Sequence, residues 1–122
     1  MSTTSHRHER VGEEIAHEIN AMLAGELKDP RLECSAVVSE VRLAPDMRQA
    51  KIFVAVRGTQ EEQEGVIKAL EHAAGFIRHQ LVEHLQLRRT PDLHFALDLS
   101  EEYSERIEQL LKAVKKDNPS AI

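Results

Sequence analysis

Residues Leu70–Leu81 read "LEHAAGFIRHQL" and contain the glycine on which the interpretation of the fold depends. Apolar residues recur through this stretch at steps of three or four, which predicts an amphipathic helix over residues 61–86. A glycine inside a helix costs about 0.5–1 kcal/mol relative to alanine. At about 100° per residue, Gly75 falls on the outward face, away from the apolar stripe. Two interpretations stay open on spacing alone: a tolerated glycine or packing bend, or a kink where a phosphate backbone can approach the main chain.

The segments on both sides of this helix predict an α+β domain. Hydrophobic periodicity predicts a first helix that ends before Pro30, because proline cannot continue a helix. Two β-branched runs joined by "APDM" predict a hairpin, and the alternation in "LHFALDL" predicts a third strand. The predicted elements are a helix over 6–26, strands over 35–43 and 49–57, the helix over 61–86, a strand from residue 93 and a final helix that Ser100 can cap. This order favours a three-stranded sheet with helices on one face.

Composition limits the class of protein. The chain has 122 residues, enough for one domain with a modest core. No apolar run approaches the roughly 18 residues of a membrane span, and the polar N-terminus has no signal-peptide centre. Cys34 is the only cysteine, so neither a disulfide framework nor a multi-cysteine zinc site is expected. These features predict a cytoplasmic protein without a membrane partner.

Charge is unevenly distributed along the chain. The formal net charge is −5, which argues weakly against a nucleic-acid partner. Glutamates crowd the first helix and the segment after residue 98, whereas the stretch from Arg42 to Arg57 is basic. A polarised surface of this kind can bind an anion despite the net charge. The alternative is an ordinary solvated surface.

Several stretches in the right order carry a resemblance to a known family. They are Arg7–Val11, "ELKDPRL" at Glu26–Leu32, "PDMRQAKIFV" at Pro45–Val54, "AAGFIR" at Ala73–Arg78 and "LQLRRTPDLHFALD" at Leu85–Asp98. Together they resemble bacterial ribosome-binding factor A over roughly residues 7–115. Each stretch alone is weak, but their joint occurrence at compatible spacing is specific.

The resemblance implies a type II KH-like fold, which matches the element order predicted above. KH modules clamp single-stranded nucleic acid with a GXXG loop, which this chain lacks. The family has an Ala-x-Gly kink in its place, so the resemblance implies that Ala73, Ala74 and Gly75 bend one long helix. The predicted division of the chain is a flexible N-terminus at residues 1–5, a KH-like ribosome-binding domain at 6–115 and a flexible tail at 116–122.

The resemblance further implies a role in ribosome assembly. Such factors bind the free small (30S) ribosomal subunit, assist late maturation of its 16S rRNA and matter most in the cold. They are not enzymes, so neither a cofactor nor a small-molecule substrate is expected. The protein is expected to be a monomer. Basic residues in the matching stretches or on net-basic segments are the candidate RNA contacts: Arg7, Arg10, Arg48, Lys51, Arg78, Arg88 and Arg89.

Two other classes of function are alternatives. Histidine pairs such as His72 and His79 suggest a metal enzyme, but one cysteine makes a closed zinc site improbable, and both residues are expected on the solvated outward face. His84 is expected to pack beside the apolar stripe as a partly buried imidazole. No phosphate loop or nucleophile elbow is present. The other alternative is a protein-interaction adaptor that uses the acidic final helix, whose simpler interpretation is a solvated face.

Overall fold

A computed structural model describes residues 3–33, 35–100, 105 and 109–112. Its elements are α1 (Thr3–Gly25), a 3-10 turn (Pro30–Leu32), β1 (Ser35–Leu43), β2 (Gln49–Arg57), α2 (Gln60–His72), α3 (Ala74–Leu85) and β3 (Asp92–Leu97). Both predicted hairpin strands have the predicted bounds. The first helix begins at Thr3 rather than at residue 6.

The three strands form one mixed sheet in the order β1-β2-β3. β1 and β2 are antiparallel, whereas β2 and β3 are parallel, since the chain passes through α2 and α3 before it returns to the sheet. Ala50, Ile52 and Val54 of β2 are fully buried beneath the helices, and the intervening Lys51 lies on the opposite, open face. This confirms the predicted α+β class with helices on one face.

α1 runs antiparallel to β1, and the side-chain amide of Asn20 in α1 makes two hydrogen bonds to the backbone of Val38 in β1. Asn20 Oδ1 accepts a hydrogen bond of 2.7 Å from the amide of Val38, and Asn20 Nδ2 donates one of 3.1 Å to the Val38 carbonyl. Val38 precedes an irregularity in the strand register. Further towards its N-terminus, α1 passes close to Val41 at Gly12. Residues before Gly12 therefore lie towards the end of the sheet where β1 turns into β2.

The long predicted helix is interrupted at Ala73. α2 begins with a complete capping box, in which Thr59 and Glu62 exchange side-chain and backbone hydrogen bonds. Ala73 has φ −88° and ψ 0°, whereas an α-helical ψ is about −42°. Gly75 lies in the first turn of α3 and its φ is not positive. The interruption thus falls inside the predicted Ala73–Ala74–Gly75 segment, two residues before the glycine.

Aliphatic side chains from all three helices meet the inner face of the sheet. Ile77 and Leu81 continue in α3 the stripe that Val66 and Leu70 begin in α2, and all four are fully buried. The largest fully buried side chains are Ile15, Ile19, Met22, Ile52, Val54, Val66, Leu70, Ile77 and Leu81. The stripe that the sequence predicts across Gly75 therefore forms one side of the core.

Gly75→Ala should stabilise the free protein by about 0.5–1 kcal/mol. Alanine is the better helix former because it has less conformational freedom to lose on folding, and the backbone at this position suits it. A Cβ at Gly75 would meet nothing within 4 Å. Urea denaturation measures the change, and a loss of stability would contradict the placement of Gly75 in open space.

Gly12→Ala is the matched comparison and should have the opposite sign. A Cβ at Gly12 would lie 3.0 Å from the carbonyl oxygen of Val41, a strand backbone atom with little room to move. We expect a loss of about 1–3 kcal/mol, in the range of overpacking. Equal stabilisation by alanine at Gly12 and Gly75 would show that α1 does not approach β1 this closely.

The end of the chain is described only in part. Ser100, Glu105 and residues 109–112 are helical, and Leu110 and Leu111 are exposed. The rest of the predicted final helix and the predicted tail at 116–122 lie outside the described residues. In the described part, no helix is both long and apolar enough to cross a membrane.

Candidate functional site

Two of the predicted arginines meet at the beginning of β3. Arg78 Nη2 lies 3.7 Å from Asp92 Oδ1, and the amide of Asp92 donates a 2.8 Å hydrogen bond to the carbonyl of Arg48. The Arg78 and Asp92 side chains are 44% and 61% exposed. A long ion pair between exposed groups contributes at most about 1 kcal/mol to stability. Another anion can therefore replace Asp92 as the partner of Arg78 at little cost in free energy.

The other two arginines of this group lie in the loop that leads into β3. α3 ends at Leu85 and is followed by the C-cap residue Gln86, which adopts the left-handed conformation with φ 52° and ψ 43°. The chain then passes through Arg88 and Arg89, both exposed, and enters β3 at Asp92. The structure therefore brings four predicted residues to one end of the sheet, and we call them the basic edge: Arg48, Arg78, Arg88 and Arg89.

The remaining predicted cations lie outside the basic edge. Arg7 and Arg10 are exposed on the part of α1 that precedes Gly12, towards the same end of the sheet. Lys51 is on the open face, with its ammonium 5.2 Å from the ring centre of Phe53. The seven predicted contacts thus form one group of four, a pair on α1 towards the same end, and one lysine on the other side of the sheet.

The interrupted helix places its exposed backbone one turn from the basic edge. Gly75 and Phe76 are exposed, and Arg78 follows Gly75 by three residues. Because glycine has no side chain and nothing occupies the space in front of it, a bulky ligand can approach the main chain here. Gly75 and the basic edge therefore form one candidate surface for a phosphate backbone.

The chemistry of this surface is that of charge recognition. Arginine presents planar donors that match phosphate oxygens, and four such groups can contact several phosphates at once. The basic edge contains no nucleophile with an adjacent base. In the described residues, no group of three or more His, Cys, Asp or Glu side chains could hold a metal ion.

A second polar cluster joins the 3-10 turn to the end of α2. Asp29 caps the turn by accepting a 2.9 Å hydrogen bond from the amide of Arg31, and its carboxylate also accepts from Nε and Nη2 of Arg31. Nη2 of Arg31 lies 3.0 Å from Nδ1 of His72. The hydrogen bonds from the Arg31 side chain and amide lower the pKa of Asp29 to about 2. We call this cluster the Asp29–Arg31–His72 clamp.

The clamp predicts a loss of stability in acid. The pKa of Asp29 is about 2 in the folded protein, below the value of about 3.9 for an unfolded aspartate. Its stabilising contribution is therefore complete above about pH 4 and is lost as the pH falls towards 2. Urea denaturation should give a higher unfolding free energy for the wild type than for Asp29→Asn, and this gap between the two proteins should narrow below about pH 4. A gap of constant size from pH 7 to pH 3 would contradict this account.

Two cations that the structure places in specific contacts, Arg31 and Arg42, are not among the seven predicted contacts. Arg31 lies inside the "ELKDPRL" stretch, but its reach to His72 is a long-range contact with no local signal. Arg42 lies 5.1 Å from the ring centre of Phe53, and its Nε donates a 2.7 Å hydrogen bond to Glu40. Strand alternation could have identified Arg42, because residues opposite Lys51 and Phe53 on the paired strand share the open face.

Comparison with known proteins gives consistent matches. A family model described as "Ribosome-binding factor A" matches residues 7–111. The ribosome-binding factor A of Koribacter versatilis is 44% identical over 116 residues, which cover 95% of this chain and 94% of the relative. The sequence likeness therefore extends over nearly the whole of both proteins.

Solved structures agree in fold. The crystal structure of ribosome-binding factor A from Thermus thermophilus matches with a TM-score of 0.65 at 24% identity, over 74% of this chain and 94% of that chain. A homology model of the Thermus thermophilus factor, fitted into a cryo-EM map of its complex with the 30S subunit, matches with a TM-score of 0.62 at 22% identity. That match covers 75% of this chain and 96% of the other. These likenesses confirm the predicted type II KH-like architecture.

Proposed function

This chain belongs to the ribosome-binding factor A family, and we propose that it binds the free small (30S) ribosomal subunit and assists late maturation of its 16S rRNA. The observation that carries the proposal is the family match over residues 7–111. Members of this family are ribosome assembly factors and not enzymes. The fitted 30S complex of the Thermus thermophilus factor supports the same partner for this chain.

The basic edge is the surface that we assign to the rRNA. It concentrates positive charge at one end of a chain whose net charge is −5, and this arrangement offsets long-range repulsion from phosphate. Arg7 and Arg10 extend the surface along α1, Lys51 adds a contact from the open face, and Gly75 lets the RNA backbone approach the start of α3. Binding through phosphates depends on salt, since each contact releases counterions from the RNA.

The mode of binding differs from that of a GXXG-containing KH domain. Without that loop, the chain lacks the backbone clamp that holds four nucleotides of a single strand. Arginine side chains spread over one end of the sheet suit the spaced phosphates of folded RNA instead. We therefore assign the protein to structured rRNA in the subunit, bound as a monomer in the cytoplasm.

Assistance to maturation follows from binding one RNA arrangement better than another. A ligand shifts a conformational equilibrium by as much as its differential affinity, and a preference of about 1.4 kcal/mol changes the population ratio tenfold. Cold prolongs the lifetime of misfolded RNA helices, so the same preference has more effect at low temperature. No chemical step is needed, which agrees with a family of factors that are not enzymes.

A pelleting assay tests the proposal. Purified protein is centrifuged with purified small subunits, large subunits or joined ribosomes at low and moderate salt. We expect the protein to pellet with free small subunits only and to be released as salt rises. Recovery with large subunits to the same extent, or no recovery with any particle, would overturn the assignment.

A further inference from the structure

We infer that the Asp29–Arg31–His72 clamp positions the junction of α2 and α3 for subunit binding; this inference rests on the proposed function. The clamp lies outside the basic edge, and none of its residues is among the predicted RNA contacts. Its role is to hold the end of α2 at one place relative to the core, so that Ala73 and Gly75 are presented in the geometry that the RNA meets.

The clamp is anchored on the 3-10 turn. Pro30 has a restricted φ, the amide of Arg31 is held by Asp29, and Leu32 is buried in the core. The Asp29 carboxylate accepts from Nη2 of Arg31 at 2.6 Å and from Nε at 3.1 Å, a two-point contact that fixes the plane of the guanidinium. The backbone and the guanidinium of Arg31 are therefore both fixed relative to the core.

The other end of the clamp holds the last residue of α2. The stem of Arg31 passes over Gly65, where an added Cβ would touch it at 3.8 to 3.9 Å. Its head reaches Nδ1 of His72, two helical turns further on. A guanidinium has donors only, so Nδ1 of His72 must accept, and the ring nitrogen is held in one orientation.

The contact matters because of where it falls. His72 is the last residue of α2, and the next residue, Ala73, carries the dihedral change that separates α2 from α3. Arg31 thus ties that end of α2 to the 3-10 turn, whose Leu32 is buried in the core. A lysine at position 31 could keep the charge but not the two-point contact with Asp29.

Asp29→Asn tests the inference, because a role of the clamp and a pure charge effect predict opposite changes in affinity for the small subunit. Asparagine can still cap the 3-10 turn, so the fold is retained while the ion pair to Arg31 is lost. Removing a negative charge should strengthen binding to a polyanion if only charge matters. We expect weaker binding instead, by about two- to fivefold in the pelleting assay, the range of one exposed ion pair. The amide chemical shifts of Ala73, Ala74 and Gly75 should move in the free protein.

Glu40→Gln is the control, because Glu40 forms a similarly short, although more exposed, ion pair with Arg42 on the open face, away from α2. It should leave the amides of Ala73 to Gly75 unmoved and binding unchanged or slightly stronger. His72→Ala breaks the clamp from its other end without touching the 3-10 turn, and it should reproduce the effect of Asp29→Asn.

Three results would overturn the inference: binding by Asp29→Asn as tight as that of the wild type, unmoved amides at the junction, or the same loss of binding in Glu40→Gln. Failure of the unmodified protein to pellet with small subunits would overturn the proposed function itself. That result is distinguishable, because it requires no variant, whereas the amide shifts report on the clamp without any ribosome.

Discussion

Alanine at both Arg88 and Arg89 should weaken binding to purified small subunits by roughly tenfold, because two exposed charge contacts of up to about 1 kcal/mol each are lost. Both side chains are exposed in the loop before β3, and neither is needed for the core. Each phosphate contact contributes about one unit to the dependence of log K on log salt. The double variant should therefore also lower the slope by about two units. Pelleting over a salt series measures the affinity and the slope together.

The control variant also loses two positive charges, but from positions outside the basic edge. Lys28 and Lys68 lie outside the basic edge, and Lys68 lines a groove with Pro30 and Arg31 beside the 3-10 turn. Their replacement by alanine should leave affinity within about twofold, since distant charges at the surface are screened at ordinary salt. An equal loss in both double variants would mean that net charge, not the basic edge, drives binding.

A different outcome would favour the adaptor hypothesis. Glutamines at Glu102 and Glu105 should leave binding unchanged or strengthen it, because they remove negative charge from a protein that binds RNA. Loss of binding in this variant, with binding intact after the arginine changes, would assign the contact to the acidic segment and to a protein partner.

Ile77→Ala should lower the unfolding free energy by about 2–5 kcal/mol, the largest effect on stability that we expect from a single change. Ile77 is fully buried and lies directly after the interrupted part of the helix. Truncation removes apolar contact and leaves a cavity between α3 and the sheet. Because small domains have marginal stability, much of the protein should unfold at moderate temperature. Urea denaturation followed by circular dichroism measures the loss.

Phe76→Ala is the neighbouring control. Phe76 is 43% exposed although it adjoins Ile77, so its truncation should cost less than about 1 kcal/mol. If the two variants lost equal stability, or if Phe76→Ala lost more, α3 would be rotated relative to the sheet and the stripe continuing across Gly75 would be wrong.

The element order could be predicted because its signals are local. Alternation of β-branched residues predicted the bounds of β1 and β2, and a three-to-four spacing predicted the helices on both sides of Gly75. The parallel pairing of β2 with β3 is different, since it depends on how the helices cross the sheet. The resemblance to a family supplied the KH-like topology that periodicity alone leaves open.

The position of the interruption could not be predicted from residue type. Glycine is the expected bending residue because of its freedom at positive φ, yet Gly75 has no positive φ. The bend requires only a change of ψ at Ala73, into a sparsely populated region that does not require glycine. The amide of Ala73 donates a 3.0 Å hydrogen bond to the carbonyl of Ala69, and the carbonyl of Ala73 accepts one of 2.9 Å from the amide of Ile77. The two helices therefore meet at Ala73 without a loop.

Two histidines have partners that the sequence did not predict, because those partners are distant in sequence. His84 is predicted to pack beside the apolar stripe, but its side chain is 44% exposed and Nδ1 lies 2.6 Å from Glu18 of α1. His72 is exposed, as predicted, and it also contacts Arg31. Helical periodicity gives the face of a residue and contains no information on which other element lies opposite.

The basic edge could be predicted only in part, for the same reason. Its arginines could each be proposed from the sequence, but their proximity depends on the parallel pairing of β3 with β2.

The sedimentation position of this protein in cells shows whether it binds the free small subunit. Lysate from cells that express the tagged protein at its natural level is separated on a sucrose gradient at low salt, and each fraction is probed for the tag. We expect the protein in the small-subunit fractions, with more of it there after a shift to low temperature. A protein found at the top of the gradient, or with large subunits and joined ribosomes, would contradict it.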